Sequence, residues 1–141
     1  MGPRLDDFIN QWRHEPFSWH DNNCLLFIDR AIEFQTGVWV EDPDKLRVRD
    51  HRHATVVMGR WMKENEASSF YEVLDCFLER SSCIPPDGGI VAHVAETAEG
   101  TGVACGIVSG GRGIFVDHTG LRFHHLNPDK DRYWRIPDVA T

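Results

Sequence analysis

The residue best placed to do covalent chemistry is Cys24. It follows Asp21-Asn22-Asn23, three residue types that cap helices, and it opens an apolar stripe of Cys24, Phe27, Ile28, Ala31 and Phe34 at helical spacing. A thiol in the first turn of a helix meets unpaired backbone N–H groups and the positive end of the helix dipole. Both stabilise a thiolate and lower its pKa, which is what a cysteine nucleophile requires. The same spacing fits a plain core residue that begins the buried stripe, so position alone leaves both readings open. A nucleophile also needs a base. His20 is near in sequence, His93 falls in a strand-like stretch and His118 in a Gly-bounded turn.

Eight histidines and four cysteines are a rich supply of metal ligands, yet their spacing is poor. His124 and His125 are neighbours on a strand and point to opposite faces. His51-x-His53 has no partner pair at a zinc spacing. No metal and no cofactor is expected. Gly110-Gly111-Arg112-Gly113 follows a strand without opening a helix, so it reads as a hairpin turn and not as a phosphate cradle. Cys76 and Cys83 are seven apart and, on one helix, would be too distant for a disulfide. Free thiols are the expectation for a chain made in a reducing compartment.

The chain has 141 residues, 41% hydrophobic and 11% aromatic, enough apolar surface for one real core. One domain over 1–141 is expected. The net charge of −7 with scattered Lys and Arg argues against nucleic acid, because neutralising phosphates needs a basic face. No apolar run approaches the roughly 18 residues of a membrane span. Met1 to Asn10 lacks the apolar core of a secretory signal, so synthesis in a cytoplasm is expected.

The elements that must position Cys24 follow from periodicity. Arg4 to His14 reads as a short helix with Leu5, Phe8, Ile9 and Trp12 on one face, ended by Pro16. The Cys24 helix runs to about Gln35, with Gly37 as its stop. Glu41 to Asp50 reads as a loop, His53 to Lys63 as a helix, and Phe70 to Glu79 as a helix capped by Ser68. Pro85-Pro86-Asp87-Gly88-Gly89 then breaks the chain. Beyond it Ile90–Glu96, Val103–Ser109, Gly113–Asp117, Leu121–His125 and Tyr133–Ile136 read as strands. The turns between them are expected at Gly100-Thr101-Gly102, Ser109-Gly110-Gly111 and His118-Thr119-Gly120. Helices first and strands second predict an α+β fold with about five antiparallel strands.

Phe17-Ser18-Trp19-His20-Asp21-Asn22-Asn23-Cys24 resembles the nucleophile segment of NlpC-like cell-wall endopeptidases, a papain-like superfamily. Gly88-Gly89-Ile90-Val91 matches that family's Gly-Asp strand. Ala104-Cys105-Gly106-Ile107 matches its His-x-Gly-Ile strand, and Phe115-Val116-Asp117 the strand of its third polar residue. With Trp134-Arg135-Ile136 at its end, residues 5 to 136 look most like an uncharacterised relative from phage and prophage tail clusters. The resemblance implies a papain-like fold with Cys24 in the catalytic position and Trp19 and Asp21 as candidate binding residues. It also implies a virion protein of the tail tip or baseplate, partnered by tail hub proteins and, in an active form, by peptidoglycan. The departures are Ala104 at the family's catalytic His, Gly89 at its Asp and His20 at its Gly. They point to a catalytically degenerate member. The alternatives are an active cysteine endopeptidase or amidase, with His118 beside Asp117 as the preferred substitute base, and a small intracellular binding module. The remaining indoles, Trp39, Trp61 and Trp134, fit either core packing or docking.

Overall fold

The computed structural model describes residues 5–97, 100–117 and 119–136. Among them are four α-helices, α1 (Leu5–Arg13), α2 (Cys24–Thr36), α3 (His51–Glu64) and α4 (Phe70–Phe77). A single antiparallel sheet follows. Its strands are β1 (Glu79–Ser81), β2 (Ile90–Thr97), β3 (Gly100–Ser109), β4 (Arg112–Asp117), β5 (Gly120–His125) and β6 (Arg132–Arg135), in the order β1-β6-β2-β3-β4-β5.

Helix α2 is the central element. Leu25, Leu26, Phe27, Ile28, Ala31 and Ile32 are all buried, so the helix is covered on nearly every side. Each large side chain of this set contributes about 1.5–3 kcal/mol of apolar burial. The helix packs on β3 and β4, with α1 alongside. Phe8 of α1 fits between Trp12, Phe27 and Phe34. The Gly37 stop operates as the periodicity predicts, since Gly37 is left-handed and its N–H closes on the Glu33 carbonyl.

The sheet has two unlike faces. Ile90, Ala92, Cys105, Ile107, Ile114 and Trp134 point at the helices and share their core. Val91, Val108, Phe115 and Tyr133 form a separate cluster on the other face, joined by Ala104 and Leu126. Gly106 is needed where β3 meets β4, because a Cβ there would stand 2.1 Å from the Ile114 carbonyl oxygen. Gly110 and Gly111 both take positive φ and close the β3–β4 hairpin, the pattern of a type I′ turn.

Several boundaries differ from the sequence reading. The sheet has six strands, not five. Helix α4 stops at Phe77, and Glu79–Ser81 pairs with Tyr133–Arg135 as β1. This strand carries no apolar alternation and exists because β6 offers it a partner edge. Cys83 is consequently off the helix, and both Cys76 and Cys83 are exposed thiols. Helix α3 begins at His51, with Asp50 accepting from the His53 N–H at 2.8 Å. Pro43–Leu46 forms a 3₁₀ turn inside the expected loop. Gly100 to Gly102 is strand, paired with Ala95–Thr97. The turn expected at Gly100-Thr101-Gly102 is therefore not there, and residues 98 and 99 lie outside the described residues.

Candidate functional site

The segment ahead of Cys24 is held by two buried asparagines. Asn22 donates its amide to the Glu15 and Pro16 carbonyls at 3.2 and 3.0 Å. Its backbone bridges to Ser18. Asn23 is the helix cap: its side-chain oxygen accepts from the Leu26 N–H at 2.9 Å. Its amide nitrogen donates to Trp19 O at 2.7 Å and Leu46 O at 2.9 Å. One residue thus fixes the helix start, the preceding loop and the 3₁₀ turn together. Asp21 and Asn22 are cap types too, but they serve the loop.

Cys24 is the first residue of α2 and is partly exposed. Its Sγ points at β3, 3.9 Å from the Val103 carbonyl oxygen. Cys105 is fully buried, and its Sγ lies 3.5 Å from the Cys24 carbonyl oxygen. The Cys105 thiol beside it holds Cys24 below the ordinary thiol value, helped by the N–H groups of Cys105, Cys24 and Leu25 and opposed by burial. The same contact, with burial, pushes the Cys105 thiol well above it. Of the two thiols, Cys24 is the more readily ionised.

The candidate bases are elsewhere or outside the description. His93 stands across from Ala104 in the β2–β3 ladder, and both face away from α2. The His93 ring contacts Phe115 and its Nδ1 is 3.0 Å from Asp131 Oδ1. His20 pairs with Asp21 at the surface. His118 lies outside the described residues. Among the described residues no imidazole hydrogen-bonds to Cys24. The strand position that meets the thiol is Cys105, not Ala104. Parity could have found it, because Cys105 shares the inward phase of Val103 and Ile107.

Trp19 is partly buried and meets Phe17 and His51 edge-on. Asp21 is exposed and bonds to Arg47 at 2.7 Å, while Arg47 also reaches Asp44. Asp21 and Arg47 border a shallow depression of about 360 Å³ between α1 and α2. Of the indoles, Trp61 and Trp134 are internal, whereas Trp39 is 50% exposed beside Val38 at 67%. Among the described residues no three His, Cys, Asp or Glu side chains cluster to hold a metal ion. None of their helices is long and apolar enough to cross a membrane.

Two buried carboxylates escaped the sequence reading. Asp29 sits within α2, fully buried, and accepts from the Val40 and Glu41 N–H groups. Its other oxygen has no partner, and burial raises its pKa to about 6. Asp131 is 6% exposed on the far side of the sheet, between His93 and the Asn127 N–H. The signal for Asp29 is a charge inside an otherwise apolar helix. For Asp131 the local sequence carries none.

No curated protein and no solved structure matches this chain. A family model does match, over residues 2–136, and the chain belongs to that family, the domain of unknown function DUF6950.

Proposed function

We propose that this chain is a structural component of a phage or prophage tail, at the tip or baseplate. In this reading it keeps an NlpC-like, papain-like framework and has lost hydrolysis. The observation that carries the second half is the partner of Cys24. A cysteine peptidase needs an imidazole to take the thiol proton and return it to the leaving amine. Here the Cys24 sulfur lies against the Val103 carbonyl, the neighbouring inward strand residue is another thiol, Cys105, and Ala104 turns away. The helix-then-sheet order, with a cysteine opening the helix that packs on the sheet, supports the papain-like reading. The tail assignment rests on the sequence resemblance. Exposed Trp39 and Val38 give it a docking element, since exposed indoles are enriched at interface hot spots.

The test pairs two assays on the full chain. Incubation with purified peptidoglycan is expected to release no fragments, and co-expression with a phage tail hub protein is expected to yield a complex weakened by Trp39→Ala. Fragment release that disappears in Cys24→Ala would replace this reading with the endopeptidase one. A chain that neither cleaves nor binds the hub would leave the binding-module reading.

A further inference from the structure

Cys24 and Cys105 belong to facing elements and are 81 residues apart in sequence, yet the Cys105 Sγ lies 3.5 Å from the Cys24 carbonyl oxygen. Their surroundings differ in a useful way. Cys24 is intermediate in exposure at the start of α2. Cys105 is 0% exposed at the centre of the helix-facing side of the sheet. Cys76 and Cys83 are both exposed, and their sulfurs contact local groups within four residues, the Glu72 carbonyl and the Ser81 hydroxyl.

We propose that Cys24 and Cys105 are a thiol–disulfide modification site, with Cys24 the attacking and Cys105 the resolving cysteine. The co-reactant is a peroxide or a low-molecular-weight disulfide. With a peroxide, the Cys24 thiolate attacks one oxygen, the O–O bond breaks, and Cys24 becomes a sulfenic acid as water leaves. The Cys105 sulfur then attacks the Cys24 sulfur. The S–O bond breaks, and the hydroxyl departs with the Cys105 proton as a second water. Two thiols and one peroxide become one disulfide and two waters. With a small disulfide the leaving groups are its two thiols in turn. A disulfide brings the two sulfurs to ~2 Å, and the Cys105 sulfur already lies against the Cys24 backbone. The product staples α2 to β3. Reduced cytoplasmic and oxidised extracellular forms would then differ at the seam between helices and sheet. This inference does not depend on the tail reading.

Position supports the order of events: Cys24 opens α2 and is only partly buried, whereas Cys105 is fully enclosed, so Cys24 meets the co-reactant first.

The experiment treats the reduced full-length chain with hydrogen peroxide or oxidised glutathione and maps peptides without reductant. The expected product is a Cys24–Cys105 linked peptide that vanishes with dithiothreitol. Closing so long a loop is expected to raise Tm by about 10 °C. The same mapping on Cys76→Ser/Cys83→Ser removes the exposed thiols and should give the same linkage. Cys24 that stays reduced, halts at a sulfinate, keeps glutathione, or links instead to Cys76 or Cys83 would overturn the proposal.

Discussion

The two faces of the sheet use the same strands to opposite ends. The helix-facing side is a continuous core whose polar contacts include Cys105 against the Cys24 carbonyl and the Trp134 indole against Asp75. The other side has a four-residue cluster bordered by the His93–Asp131 pair. Tyr133 there keeps a buried hydroxyl with no partner, and burial together with the Asp131 charge raises its pKa. Adjacent residues of β3 divide between them, Ala104 to one side and Cys105 to the other. The chemistry open to this protein is therefore set by strand phase, since a shift of one residue exchanges the two faces.

The largest expected difference between the faces is in stability. Phe27→Ala on the helix-facing side should cost about 3–5 kcal/mol in urea unfolding, and Phe115→Ala about half of that, because its cluster is small. Equal costs would mean that the far cluster is as consequential as the main core.

Asp29 sharpens the picture through pH. Its folded pKa is raised to about 6 from an ordinary 3.8. The folded chain thus binds more protons than the unfolded chain between those values, and stability falls as pH rises through that window. Asp29→Asn should stabilise the protein at pH 8 by on the order of 2–3 kcal/mol relative to the natural chain, with the gain gone near pH 4. A gain independent of pH would assign the effect to shape and not to charge.

Asn23→Ala removes the α2 cap and two loop anchors and should cost about 2 kcal/mol. It should also move the iodoacetamide pH profile of Cys24 toward an ordinary thiol, because the N–H groups beneath the sulfur lose their fixed direction. Asp131→Ala should cost about 1–2 kcal/mol by stranding His93 and the Asn127 N–H, and leave that profile where it was. A shifted profile would show that the two faces communicate. The smallest effect belongs to Asp21→Ala, which breaks an exposed ion pair to Arg47 and should change stability by less than about 1 kcal/mol in a denaturation curve.

Local physics made much of this fold readable in advance. The α2 stripe, the Gly37 stop and the Gly110-Gly111 hairpin each follow from interactions within a few residues, so the sequence carries them. Strand β1 was not readable, because Glu-Arg-Ser has no pattern of its own and becomes a strand only against β6. Asp131 was not readable either, since its partner His93 is 38 residues away.

The same division holds at the candidate site. Sequence alone determined that a thiol opens a capped helix, because capping is a contact between near neighbours. Only the tertiary structure decided what that thiol faces. The answer depends on how β3 is phased against α2, and that phase is set by burying Val103 and Ile107 against the helices. Burying those two side chains turns Cys105 inward with them and Ala104 out.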